Sequence, residues 1–213
     1  MSNLMRWLFF GVVLALTTFS ATQAQNLIGN GELDFDTAGW EETAAEGLLI
    51  WHTLDRDGCG DASGSGLLDN FAANTQYAFG PRGCATGIVP GQAYSIAAYL
   101  RFPSGQTAPG QGSLQVQWFD SATGCDGAPV PPFLQSSILT TATVDAWTPI
   151  GWEEVVAPAG AHSVQVVVAL QKNVGGDTLL LHFDGVHVVS GAGFLFADGF
   201  GAESTCRWSA EQP

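Results

Sequence analysis

Lysine is almost absent from this sequence. Lys172 is the only one in 213 residues, and Lys+Arg number 6 against 20 Asp+Glu. A nucleic-acid-binding surface neutralises phosphates with these side chains, so that class of partner is set aside. The net charge of −14 argues against an anionic membrane surface for the same reason. Charged residues make up only 12% of the chain and hydrophobic ones 46%, which does not suit a disordered acidic tail and calls for a packed core. After residue 24 no window shows a helical stripe, and none approaches the ~20 apolar residues of a membrane span. There is no G-x-S-x-G elbow, no H-E-x-x-H and no P-loop. Two carboxylate doublets occur, Glu41-Glu42 and Glu153-Glu154. Strand neighbours point to opposite faces, so neither doublet by itself flanks a glycosidic bond. His182 and His187 are five apart, which on a regular strand puts them on opposite faces rather than in a metal pair. No catalytic residues are expected, and the chain is not read as an enzyme.

What is present begins with the N-terminus. Arg6 precedes an apolar stretch from Trp7 to Leu16, then a small and polar segment ending Thr22-Gln23-Ala24. This is the tripartite pattern of a secretory signal, with cleavage expected after Ala24. The alternative, an uncleaved anchor, suits the short apolar run less well. Removing residues 1–24 takes away Arg6 and leaves a charge of −15. The protein is therefore expected to be secreted, to the periplasm or the exterior of a bacterium, without membrane insertion of the mature chain. Cys59, Cys84, Cys125 and Cys206 all follow the signal. An even count in an exported chain suggests disulfides, and four cysteines allow three pairings. Cys59 with Cys84 is favoured, since both sit beside glycine-rich turns flanking one candidate hairpin. That leaves Cys125 and Cys206 paired or free. No C-x-x-C spacing supports a metal site.

The remainder reads as short alternating segments separated by Gly, Pro, Asn and Asp. Residues 47–53, 65–71, 75–79 and 84–89 are candidate strands. In 94–102, Tyr94, Ile96, Ala98 and Leu100 fall on one face, and Ala97, Tyr99 and Arg101 on the other. Leu114, Val116 and Trp118 alternate with Gln115, Gln117 and Phe119. Val164, Val166, Val168 and Leu170 alternate with Gln165, Val167, Ala169 and Gln171. Leu179, Leu181 and Phe183 alternate with Leu180, His182 and Asp184. Val89-Pro90-Gly91 and Ala157-Pro158-Ala159-Gly160 mark turns. Residues 103–113 and 120–135 read as loops, with room for an irregular edge strand after them. The expected fold class is all-β, a two-sheet antiparallel sandwich. The domain is bounded at residues 25–190, with a small-residue linker and tail at 191–213.

Several segments carry a family resemblance. Asn26-Leu27-Ile28-Gly29-Asn30-Gly31-Glu32-Leu33-Asp34, followed by Gly39-Trp40, resembles the N-L-I-x-N-G-x-F-E…G-W opening of galactose-binding-like jelly rolls. These include carbohydrate-binding modules of families 4, 9 and 22. Ser63-Gly64-Ser65-Gly66-Leu67, Val89-Pro90-Gly91 with Tyr94, and Ala157-Pro158-Ala159-Gly160-Ala161 follow in the family's order. Phe183-Asp184-Gly185-Val186 resembles the closing F-D-D-V strand, with Gly185 in place of the second Asp. The resemblance spans 26–190 and implies a jelly-roll sandwich. It also implies a structural Ca²⁺ tying the N-terminal segment to the last strand, with Asp34 and Asp184 at the matching positions. The plainer reading is that Asp34 caps a turn and Asp184 accepts a backbone hydrogen bond.

The resemblance further implies sugar binding on a sheet face or at the sandwich rim, and the acidic composition points to a neutral glycan. With the apolar alternates in the core, the expected binding face carries Tyr99, Arg101, Gln115, Gln117, Phe119, Gln165 and His182. Its amides and rings suit sugar hydroxyls and C–H faces, though antiparallel sheets also leave such faces merely solvated. Trp51, Tyr77 and Phe79 could add stacking surface, while Trp40, Trp147 and Trp152 are expected to pack. The segment Phe196-Ala197-Asp198-Gly199-Phe200…Trp208-Ser209 is similar to a tail found on exported proteobacterial proteins. Sorting, surface retention and a docked extension all fit it. The two functional readings are a secreted non-catalytic carbohydrate-binding module and a structural or adhesive sandwich that binds no sugar.

Overall fold

The computed structural model describes residues 25–42, 47–58, 63–74 and 78–191. The signal segment, Cys59, Tyr77, Cys206 and the tail lie outside them. Eleven strands and no helix form among the described residues. They are β1 (Gly47–His52), β2 (Ser65–Asn70), β3 (Ala78–Phe79), β4 (Arg82–Thr86), β5 (Ala93–Arg101), β6 (Gly110–Phe119), β7 (Pro129–Gln135), β8 (Leu139–Thr140), β9 (Thr148–Val156), β10 (Ser163–Lys172) and β11 (Leu179–Ser190). One sheet has the order β1-β2-β11-β5-β9. The other has β3-β10-β6-β7, with β4 also on β10 and β8 on β6. Every strand pairing is antiparallel. The chain is an all-β two-sheet sandwich, as its alternation indicates.

The inner faces meet as the sequence pattern requires. Leu114, Val116 and Trp118 of β6 pair in register with Val168, Val166 and Val164 of β10, and all six are fully buried. Tyr94, Ile96, Ala98 and Leu100 line the facing strand β5 and belong to the same core. Trp40 packs here too, its ring 5.1 Å from that of Phe183.

Three segments depart from the sequence reading. Residues 110–113, expected in a loop, begin β6. A side chain at Gly112 would meet Leu181 at 3.0 Å and Leu100 at 3.2 Å, so this glycine makes room for the opposite sheet. Pro129, Pro131 and Pro132 disguise β7, which survives as an edge strand because an edge tolerates missing N–H groups. In β9, Gly151 (φ 145°) and Glu154 (φ 54°) break the alternation, and its register with β5 shifts between Tyr94 and Ile96. A register shift in β11 between Asp184 and His187 also overturns the parity argument for its histidines. His182 pairs with Arg101 and His187 with Ala97, so both lie on the outer face of the β5 sheet.

The N-terminal segment straps the sandwich along one side. Leu27 N–H donates to Val188 O, and Val186 N–H to Gly31 O, extending the sheet beside β11. The Asn26 amide donates to Val186 O at 2.9 Å and accepts from Val188 N at 2.9 Å. Farther along, Ile28 bridges Ala85 and Glu41 bridges Arg82, so the same strap reaches β4 of the other sheet.

The single lysine is buried. Lys172 Nζ donates to the carbonyls of Ala72, Gly176 and Asp177, closing the loops after β2 and β10 around one ammonium. The Ala72 carbonyl is buried, and left without a donor it would cost about 1–3 kcal/mol, whereas Gly176 and Asp177 lie at the surface where water can serve them. Lys172→Met should therefore lower unfolding free energy by roughly 1–3 kcal/mol in urea denaturation. A loss below about 1 kcal/mol would show that water serves these carbonyls equally well.

Candidate functional site

The seven residues expected on one face are divided between two. Tyr99, Arg101 and His182 lie on the outer face of the β5 sheet, whereas Gln115, Gln117, Phe119 and Gln165 lie on the outer face of the β6 sheet. The expectation of one platform is thereby corrected. Alternation separates inward from outward but does not say on which side of a sandwich an outward residue falls.

The β5-sheet group is committed to internal contacts. The Arg56 guanidinium lies 4.3 Å over the Tyr99 ring and covers it. Arg101 pairs with Asp145 at 3.0 Å, and Asp145 also accepts from the backbone of Ser104. His182 is buried. Its Nδ1 lies 3.1 Å from Ser65 Oγ, and its ring meets those of His52 at 4.9 Å and Trp147 at 6.3 Å. Burial, with smaller contributions from His52 and Arg101, pushes its pKa down to about 3. Trp51 is likewise engaged, its indole N–H donating to Leu33 O at 2.7 Å.

The β6-sheet group is laid out differently. Three rows cross its outer face: Arg82-Val167-Gln115-Gln135, Cys84-Gln165-Gln117, and Thr86-Ser163-Phe119-Pro129. Gln111 donates to Gln171 at 2.8 Å in a further row. Over the β4 end lies a groove of about 690 Å³. Gly39 and Glu41 of the N-terminal strap border it, β4 and Gln165 line it, and residues 123–126 form its far side. That far side is fixed at several points. Ser163 Oγ donates to Gly124 O at 2.7 Å, Ala128 N–H donates to Asp120 Oδ1 at 2.7 Å, and Cys84 is bonded to Cys125. The expected Cys59–Cys84 pairing is thus corrected. Cys84 sits within β4 and points outward beneath the 120–128 loop, at a Cα–Cα distance of 5.9 Å from Cys125. Nothing in the spacing of Cys84 and Cys125 marks this wall in the sequence. Arg82 and Glu41 form an ion pair at 3.0 Å across the groove, leaving Asp126 as the remaining formal charge among the lining side chains. Thr86, Thr123 and Gln165 supply neutral hydroxyl and amide groups.

The residues proposed for Ca²⁺ are differently placed from one another. Asp34 is partly exposed, next to Leu33, a buried residue at φ 49°. Asp184 is fully buried and accepts from Gly185 N at 2.6 Å and Arg56 N at 3.2 Å. Burial and the neighbouring Glu32 push its pKa up to about 8, against the opposing pull of Arg56 and those N–H groups. Glu32, rather than Asp34, is thus the N-terminal carboxylate coupled to Asp184. Among the described residues no three His, Cys, Asp or Glu side chains gather as a metal site. A guanidinium occupies this corner, and a donor set beside a fixed cation does not fit Ca²⁺.

No protein-family model matches the chain, and no curated protein matches it. Solved structures do. The enzymatically active domain of bacteriophage CBA120 tailspike protein 4 superposes with a TM-score of 0.54 at 14% identity, over 78% of this chain and 21% of that one. The family 22 carbohydrate-binding module and glycoside hydrolase family 10 modules of Clostridium thermocellum xylanase 10B, complexed with xylohexaose, give 0.50 at 12% identity, over 75% and 27%. An arabinose-bound α-L-arabinofuranosidase, MgGH51, gives 0.53 at 15% identity, over 78% and 26%. The chain spans about a quarter or less of the length of these proteins. At such identities the likeness is one of fold, and it agrees with the jelly-roll resemblance read from Asn26 to Ser190.

The buried His182 has a pH consequence. Its folded pKa lies below the unfolded value of about 6.5, so its neutral form stabilises the fold above that pH. This contribution is lost as pH falls from about 6.5 toward about 3. Asp184, whose folded pKa is raised, gains stability over the same interval and opposes this loss in both proteins. Urea midpoints should therefore change by a more destabilising amount on acidification for the native chain than for His182→Asn. Parallel profiles would show that His182 does not report on acid sensitivity.

Proposed function

We propose that this chain is an exported, non-catalytic β-sandwich module that binds a neutral glycan in the groove over β4 and the adjoining β6-sheet face. The observation carrying this reading is the groove itself. Its walls are held by a disulfide and by hydrogen bonds to backbone, and its lining combines the Gln165 amide and the Thr86 and Thr123 hydroxyls with the Arg82–Glu41 pair and one further carboxylate, Asp126. A rigid polar groove retains more of its hydrogen-bonding free energy on binding than a mobile one. Its volume lies in the range of about 300–1,000 Å³ typical of small-ligand sites. The structurally similar xylanase modules were crystallised with xylohexaose and the arabinofuranosidase with arabinose, which supports a sugar ligand here.

Asp126 and the strongly acidic chain disfavour uronate-rich or sulfated polymers. The Cys84–Cys125 bond suits an oxidising compartment and supports export. Of the two carboxylates that line the groove, Glu41 and Asp126, Glu41 is already paired with Arg82, which supports the non-catalytic reading.

Neutral and acidic oligosaccharides on one array should separate cleanly, with signal confined to neutral ones. Gln165→Ala should then weaken binding roughly 5–10-fold in affinity electrophoresis, the worth of about one hydrogen bond. Arg101→Gln should leave it unchanged. A blank array with retained protein partners would favour the adhesive reading. Loss of binding in Arg101→Gln alone would move the site to the opposite face.

A further inference from the structure

The corner around Asp184 is where the family resemblance implies a metal ion, and its occupant is a side chain. The closing motif reads Phe183-Asp184-Gly185-Val186, with glycine where the family has a second Asp. Gly185 has φ +58°, and a Cβ built there would lie 2.2 Å from Arg56 Nη1 and 3.1 Å from both Arg56 Cζ and Tyr99 Cδ2. The space left by the missing carboxylate is the space the guanidinium fills.

Its contacts reach several parts of the chain. Nη2 lies 3.0 Å from Asp57 Oδ2 and 3.7 Å from Glu32 Oε2 in the N-terminal strap. Nε donates to Asp57 Oδ1 at 3.2 Å, which completes a two-pronged contact with that carboxylate. Cζ sits 4.3 Å over the Tyr99 ring of β5. The Arg56 backbone N–H donates to Asp184 Oδ2 in β11 at 3.2 Å. The side chain is 16% exposed, so these contacts are little screened by solvent. Ca²⁺ requires six to eight oxygens and no competing cation. Guanidinium and ion therefore exclude one another in this corner.

We propose that Arg56 takes the place of a structural calcium ion. It is an internal cation that ties the strap, the loop after β1, and strands β5 and β11, and it makes the domain independent of calcium. Gly185 is the complementary change that admits it. The Asn26 amide, bonded to both Val186 and Val188, and the backbone bonds of Leu27 and Gly31 to β11 tie the strap to the last strand beside it.

Thermal unfolding of the native chain in millimolar CaCl₂ and in EDTA is the first test. Coincident melting temperatures are expected. A rise of several degrees in calcium, which a specific site would produce by mass action, would overturn the proposal. The second test is a double-mutant cycle between Arg56→Ala and Gly185→Ala. The backbone strain of a side chain at φ +58° is common to both arms and cancels. Gly185→Ala should therefore depress the melting temperature by several degrees more in the native background than in Arg56→Ala. Equal depressions would show that the guanidinium does not depend on the space at Gly185. Arg56→Lys, which keeps the charge but loses the planar fork, should recover only part of the stability lost in Arg56→Ala. Full retention of stability in Arg56→Ala would also reject the role.

Discussion

Leu114, Val116 and Trp118 on one sheet and Tyr94, Ile96, Ala98 and Leu100 on the other give their side chains to a shared core. Everything else in the molecule is conditioned by this face-to-face burial. Each strand has only two faces, so a strand that commits one to the core must offer the other to solvent or to loops. The domain therefore has two outer faces on opposite sides of about 10 Å of packed side chains. No side chain can serve both. Polar residues that look equivalent along the sequence are sorted into separate environments by topology alone.

The two faces have been put to different uses. On the β5 sheet, Arg56, Asp145, His52 and Trp147 lie against the outward-facing Tyr99, Arg101 and His182. This is internal bracing, and it coincides with the N-terminal strap folding along β11. On the β6 sheet, the outward glutamines remain partly accessible, and the loop between β6 and β7 folds over β4 to wall a groove. The Cys84–Cys125 bond holds that wall. The few cations of this acidic chain follow the same division. Arg56 acts inside as a counter-charge and Lys172 as a donor to backbone carbonyls, while Arg82 stands at the groove paired with Glu41. Scarcity of Lys and Arg, at first only grounds for setting aside nucleic acid, has a structural counterpart in these assigned positions.

The regular strands were legible because their burial follows a period of two. β6 from Leu114 alternates cleanly, and in β5 and β10 every residue read as inward is buried, although the outward Ser95, Ala97, Ser163 and Ala169 are covered as well. The remainder was hidden for physical reasons. Prolines in β7 oppose strand propensity, yet an edge position tolerates them. Gly110 and Gly112 look like turn residues, but Gly112 gives space to Leu100 and Leu181 from the other sheet. The bulge between Asp184 and His187 reverses side-chain parity, so counting residues misassigned the relation of His182 to His187. The candidate site was half legible. Gln115, Gln117, Phe119 and Gln165 do share a face, but Tyr99, Arg101 and His182 belong to the opposite one, a distinction that requires the strand order. Cys125 and the wall it anchors depend on a contact across 41 residues and had no local signal.

The central claim is that ligand is held over β4 and the 123–126 wall and not on the braced β5 face. Amide hydrogen exchange, followed by mass spectrometry with and without a saturating neutral oligosaccharide, addresses it without any substitution. Slowed exchange is predicted in residues 82–86 and 121–128, with residues 99–101 and 145–147 unchanged. Protection concentrated at 99–101 and 145–147, with the 121–128 loop unaffected, would contradict the account.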